Sequence, residues 1–318
     1  MDSYASEDCV QSNAPVPVSC GAKEQPFPPV PTIIFVHPPR TAGSTLSRII
    51  HCEYDSRQIC DIDDRFYYWS FEKVTSWPVQ RLAGIKAFNG HIPFGLHRYL
   101  PQDSTYITLL RDPITRTISE YYARRHRRWH PIADRDAKRL TLKKYVETIA
   151  YNNPQTKAIA GIWKAFRYHY YSIRPSHDFY SASCTREDLE RAKHNLSKYF
   201  SLVGLTERFD ETLALAKIVL GWQVAGYTCA RENPMRLKER PISAEDKAAI
   251  AEHNRFDLEL YRFGASLFEE ALGRHAQRLR DELDNVRAAK LSKGFNAAAH
   301  RVRSVIRRHC IRLRCASW

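Results

Sequence analysis

Ile33-Ile34-Phe35-Val36-His37-Pro38-Pro39-Arg40-Thr41-Ala42-Gly43-Ser44-Thr45-Leu46 is the stretch whose reading decides the fold. Its four leading apolar residues predict a short buried strand. Pro38 and Pro39 end that strand, because proline has no N–H to give to a ladder. The small residues Thr41 to Thr45 then predict a tight turn into a helix carrying Leu46, Ile49 and Ile50 on one side. A strand feeding a turn at a helix N-terminus aims backbone N–H groups and the positive end of the helix dipole at one point. Arg40 and the hydroxyls of Thr41, Ser44 and Thr45 add charge and donors there. The expectation is an anion cradle, for which phosphate is the usual occupant.

Outward from the cradle, Gly84 to His91 reads as a second strand whose end delivers His91, and Tyr106 to Leu110 as a third. Arg111-Asp112-Pro113 breaks the third strand, and Pro113 in a first turn starts a helix through Ile118, Tyr121 and Tyr122. Ser201 to Leu205 predicts a further strand. Helical spacing recurs near 142–150, 187–199 and 211–220, after a Ser243/Asp246 cap toward Asn254, and from Leu258 to Leu279. Short apolar strands followed by helices predict an α/β fold: a central parallel sheet with flanking helices and a helical C-terminal part. Ligands of such sheets collect at the carboxyl ends of the strands. The cradle, His91 and the Arg111–Ser119 segment are therefore expected to face one crevice. Two separated phosphate sites there suggest a nucleotide phosphorylated at both ends of its ribose.

The 318 residues are 43% hydrophobic and 26% charged, as in a soluble globular protein, and 49 Lys and Arg against 35 Asp and Glu leave a formal charge of +14. That excess implies an anionic partner: nucleic acid, a phosphorylated cofactor, an acidic glycan or a membrane surface. The 8 cysteines are scattered without zinc-like spacing, so no metal site is expected. Residues 1–30 read as a disordered leader without the basic start and apolar run of a signal peptide. No stretch approaches the roughly 20 apolar residues of a membrane span. The default location is therefore cytoplasmic, and the sequon Asn195-Leu196-Ser197 matters only in a secreted chain. After Asp284 only basic charges follow. Residues 274–318 are thus expected to form a basic helical tail, with Val302, Val305, Ile306 and Ile311 as a stripe that could meet an anionic membrane or polyanion. The domain between is placed at 31–273. The cluster Phe66, Tyr67, Tyr68, Trp69 and Phe71 reads as core packing, with a lid or substrate-facing wall as the alternative, and the group Trp163, Tyr168, Tyr170 and Tyr171 as core packing, with stacking on sugar rings as the alternative. Arg124, Arg125, Arg127 and Arg128 form either a solvated face or a surface for an acidic glycan.

Pro38-Pro39-Arg40-Thr41-Ala42-Gly43-Ser44-Thr45 resembles the 5′-phosphosulfate loop of sulfotransferases that use 3′-phosphoadenosine-5′-phosphosulfate (PAPS). More narrowly it is similar to the bacterial and Golgi carbohydrate group that contains heparan sulfate 2-O-sulfotransferase. Arg111 and Ser119, with Asp112-Pro113 and Glu120-Tyr121 beside them, match that family's 3′-phosphate motif. His91 falls at its catalytic histidine. Weaker echoes are Asn153 with Gln155-Thr156, Val203 to Phe209, and Asp257 to Tyr261. The resemblance implies a P-loop-NTPase-like fold and sulfuryl transfer to an acceptor hydroxyl on a carbohydrate, with no metal. It implies Pro39, Arg40, Thr41, Ala42, Gly43, Ser44, Thr45, Arg111 and Ser119 as donor-binding residues. Arg40 stabilises the leaving phosphate and His91 is the general base. Arg40 stands where the family commonly has lysine, and keeps the charge while adding bidentate reach. His37 and His97 compete with His91 for the base. The rival readings are a P-loop kinase, whose Gly-x-x-x-x-Gly-Lys-[Ser/Thr] pattern is absent, and a basic nucleic-acid-binding protein, for which no recognition motif is found.

Overall fold

In a computed structural model of the chain, the described residues are 31–62, 71–125, 139–148, 152–162, 183–227 and 241–291. Among them, five strands form one all-parallel sheet: β1 (Thr32–Val36), β2 (Ile59–Ile62), β3 (Ala87–Gly90), β4 (Ser104–Leu110) and β5 (Phe200–Leu205), in the order β2-β3-β1-β4-β5. The helices are α1 (Gly43–Glu53), α2 (Phe71–Thr75), α3 (Val79–Ala83), α4 (Pro113–Arg125), α5 (Leu142–Thr148), α6 (Pro154–Ala160), α7 (Arg186–Tyr199), α8 (Phe209–Leu220), α9 (Ala244–His253), α10 (Arg255–Arg274) and α11 (Ala276–Leu291).

β1 is central because every one of its residues is apolar or β-branched, and all five are buried. A strand covered on both faces by helices reads as a continuous apolar run rather than an alternating one. β2 lies at the edge and alternates half-buried Ile59 and Asp61 with buried Cys60 and Ile62. β3 ends in Gly90, whose φ of 147° and whose missing Cβ are both required: a Cβ there would lie 1.9 Å from the Ile62 carbonyl oxygen. His91 follows directly, in an isolated bridge with Val36.

The chain leaves β1 toward β2 and β3, and leaves β4 toward β5. Between β1 and β4 the connections diverge, so their carboxyl ends open a crevice at the point where strand order reverses. The helices behind that edge are tied by reciprocal capping. Asn153 Oδ1 accepts from the N–H groups of Phe256 and Asp257, at the start of α10. In return Asn254 Oδ1 accepts from Asn153 N–H, and the wholly buried Asp257 takes the first turn of α6. Asp257 Oδ1 receives Thr156 N–H at 2.7 Å and the Thr156 hydroxyl at 2.8 Å, while Oδ2 receives Gln155 N–H at 3.2 Å. Burial pushes the Asp257 carboxyl above its usual range, against the opposing pull of the Arg116 guanidinium and these donors.

Two stretches singled out in the sequence take defined places. Asn195 of the sequon is buried on α7, and its Nδ2 donates to Ile159 O at 2.8 Å. Residues 276–291, the first part of the stretch read as a basic tail, form α11. Its Val286 is fully buried in the main core, and Glu282 pairs with Lys217 of α8 at 2.5 Å. The residues of the leader, the aromatic stretches 66–69 and 163–171, and the chain after 291 lie outside the described residues.

Both Asp257 oxygens face backbone N–H groups, so an amide at this position must turn its NH2 toward a donor. Asp257→Asn is expected to destabilise the fold by about 2–4 kcal/mol, despite equal size. The urea midpoint, with the transition slope unchanged, measures this loss.

Candidate active site

The β1–α1 connection is built on two strained residues. Arg40 (φ 71°) and Ala42 (φ 59°) are both left-handed without being glycine, a conformation that costs of order 1–3 kcal/mol each and persists only where surroundings fix it. The buried Thr41 hydroxyl fixes it in part by donating to Pro38 O at 2.9 Å. α1 then starts at Gly43 with no side-chain cap and no acidic residue in its first turn. Several other first turns are capped: Asp112 Oδ1 accepts from Thr115 N–H in α4, Thr185 from Asp188 N–H in α7, Ser243 from Asp246 N–H in α9, and Asp257 serves α6, whereas α3 and α8 have no capping side chain and α8 instead carries Asp210 and Glu211 in its first turn.

At the end of β4, Arg111 reaches across to this loop. Its Nη1 donates to Arg40 O at 3.1 Å and its Nε to Thr115 Oγ1 at 3.3 Å. The Gln155 amide grips the Arg111 backbone on both sides, accepting from its N–H at 2.8 Å and donating to its carbonyl at 2.9 Å. Arg40 in turn extends to α4, where Nε and Nη2 donate to Ser119 Oγ at 3.3 and 3.0 Å. The loop and the Arg111–Ser119 segment, expected to face one crevice, are therefore directly bonded to each other. α4 is held in place by a buried ion triad. Glu120 receives Arg116 Nη1 at 2.7 Å and lies 3.1 Å from Arg124 Nη2, and Tyr145 OH donates to it at 3.1 Å. Arg124, read as part of a solvated or glycan-facing run, is instead buried and structural; Arg125 donates to Tyr121 OH at 2.6 Å. Arg127 and Arg128 lie outside the described residues.

His91 stands beside the loop. Its Nδ1 lies 2.9 Å from His37 O, and because a carbonyl only accepts, the neutral ring carries its proton on Nδ1 and its lone pair on Nε2. The His91 ring stacks on His37 (centroids 4.4 Å apart, planes at 19°), and His37 stacks on Phe35 (5.3 Å, 10°). On the loop side, a Cβ added to Gly43 would fall 2.0 Å from the His37 ring, so the glycine makes room for it. His97 is elsewhere: its Nδ1 meets the buried Tyr106 hydroxyl at 2.7 Å, and burial lowers its pKa while raising that of Tyr106 to about 12. Asn89, two residues before His91, ties β3 to its neighbours through Asp61 Oδ1 at 2.6 Å and Ser47 Oγ at 2.7 Å. Gln155 and Asp257 entered the sequence reading only as echoes of a family pattern. Their long-range bonds, which set Arg111, are visible only in three dimensions.

Residues 4–296 match the family model described as galactose-3-O-sulfotransferase, a carbohydrate sulfotransferase family in line with the resemblance carried by the loop. No curated protein matches the chain. The match overturns the cytoplasmic expectation, since the family consists of Golgi-resident type II membrane proteins. Among the described residues no helix is long and apolar enough to cross a membrane. With nearly the whole length matched and the parallel sheet in place, the chain belongs to the galactose-3-O-sulfotransferase family and is a carbohydrate sulfotransferase.

Proposed function

We propose that this enzyme moves the sulfuryl group of PAPS to the 3-hydroxyl of a galactose residue, with His91 as general base. The observation that carries the donor half is the uncapped first turn of α1 lying beside two guanidinium groups, Arg40 and Arg111, that are already bonded across the crevice. This donor set fits a nucleotide with anionic groups at both ends of its ribose. The loop 39–45 holds the 5′ end through N–H groups, the Ser44 and Thr45 hydroxyls and the Arg40 charge, while the buried Thr41 hydroxyl shapes the loop through Pro38 O, and Arg111 with Ser119 holds the 3′ phosphate. Bound PAPS supplies an activated S–O bond whose leaving group is a phosphate.

The residues of this chain then divide the work. Arg40 and the α1 N-terminus stabilise the negative charge that grows on the leaving oxygen, a role a fixed dipole performs without reorganisation. His91 accepts the acceptor proton at Nε2 as the new S–O bond forms, while Nδ1–H stays on His37 O and steadies the imidazolium. Galactose as acceptor rests on the family description alone.

Calorimetry with adenosine 3′,5′-bisphosphate checks the donor site: Arg111→Ala is expected to weaken binding by about 10- to 100-fold, the usual worth of a hydrogen bond to a charged group. Unchanged affinity in Arg111→Ala refutes the assignment. For the base, His91→Ala is expected to lower kcat by about 10²–10⁴-fold with nucleotide affinity retained. Sulfate transfer measured on galactosides beside glucosides checks the acceptor, and a preference for glucosides refutes it.

A further inference from the structure

We infer that His37 is a positioning residue: its ring is the rigid spacer that sets His91 over the anion loop. The inference rests on the reading of His91 as the base. The geometry reaches His37 from three sides. Phe35 stacks on it at 5.3 Å, His91 stacks on it at 4.4 Å, and the Gly43 backbone comes so close that no Cβ fits between. A flat group packed on three sides has one orientation, and it transmits that orientation to whatever lies on its open face.

The sheet produces this contact. β1 and β3 pair in the register Ile33↔Ala87, Ile34↔Phe88, Phe35↔Asn89. Beyond that register His91 forms an isolated bridge with Val36, which brings its ring beside His37, and His37 in turn stacks on Phe35 two residues before it. The His37 carbonyl fixes which nitrogen of His91 carries the proton, while the His37 side chain fixes where the ring lies. The first function survives any substitution at 37; the second does not.

The carbonyl and the ring can therefore be separated by mutation. His37→Ala is expected to lower kcat by about 10- to 100-fold, the usual effect of displacing a reacting group by about an ångström. KM for PAPS and the affinity for adenosine 3′,5′-bisphosphate are expected to change much less than kcat, because His37 meets the donor loop at Gly43, away from the Arg111 and Ser119 that hold the 3′ phosphate. His37→Phe keeps a flat ring and is expected to recover most of the lost kcat. Long-range 1H–15N spectra are expected to show the Nδ1–H form of His91 in wild type and both variants. A wild-type kcat in His37→Ala, or a His37→Phe as slow as His37→Ala, overturns the inference. His91→Ala is measured in parallel: if it keeps wild-type kcat, the base assignment itself falls, whereas an inactive His91→Ala beside a fully active His37→Ala removes only the role of His37.

Discussion

One buried carboxylate sets the position of the crevice. Asp257 has no water to stabilise it, so it is held by donors from the first turn of α6, and those donors fix where Gln155 begins. Gln155 then extends its amide along the end of β4 and grips both backbone groups of Arg111, much as a neighbouring strand would. Arg111 in turn holds the carbonyl of Arg40, one of the two left-handed residues of the loop. Each step converts a polar group that would be costly to leave unpaired into a constraint on the next one. The helix containing Asp257 lies far along the chain from the loop it orders, and the reciprocal bonds of Asn153 and Asn254 lock the relation in both directions.

The crevice gathers positive charge where the strand ends diverge, and this has a structural cost that the rest of the fold carries. Two non-glycine residues of the loop are strained, the α1 start is without a cap side chain, and the Arg111 guanidinium is turned onto the Arg40 carbonyl. The buried charge of α4 is paired: Arg116 and Arg124 face Glu120, and the Arg116 field also reaches Asp257. Two of the three left-handed non-glycine residues among the described residues fall in this loop, a concentration of strain expected where function competes with stability. Arginine at position 40 suits this geometry. Its planar fork places two nitrogens on the Ser119 hydroxyl while the backbone stays in the loop, whereas a lysine offers a single point charge.

Much of this was legible in the sequence, for identifiable reasons. β1 is a run of apolar and β-branched residues, β4 and β5 are mostly apolar runs ended by Arg111 and Thr206, and the loop after β1 has two prolines followed by small residues. Pro113 and Ser243 marked two helix starts directly, and Thr185 with Asp188 carried an equal signal three residues apart. β2 was not legible: four residues at a sheet edge, one of them an aspartate, have too little pattern to separate from a loop. The pairing of His37 with His91 was hidden for a different reason. It follows from which strands are neighbours, and nothing local in either strand encodes that β3 lies beside β1. Arg124 misled because a run of arginines reads as surface until the Glu120 one turn earlier is seen to be buried with it.

The sequon on α7 gains a meaning from its burial. The amide nitrogen of Asn195 that would carry an oligosaccharide is the same nitrogen that bonds the Ile159 carbonyl and joins α7 to α6. Docking of these two helices and attachment of a sugar therefore exclude each other, and the outcome is decided by order in time. A chain that docks α7 promptly closes the acceptor and stays bare. One that is delayed, in a compartment that glycosylates nascent proteins, acquires a bulky group at a helix interface and can no longer complete the layer on which Gln155 and Arg111 depend. At this position a glycan would record slow folding rather than decorate a finished enzyme.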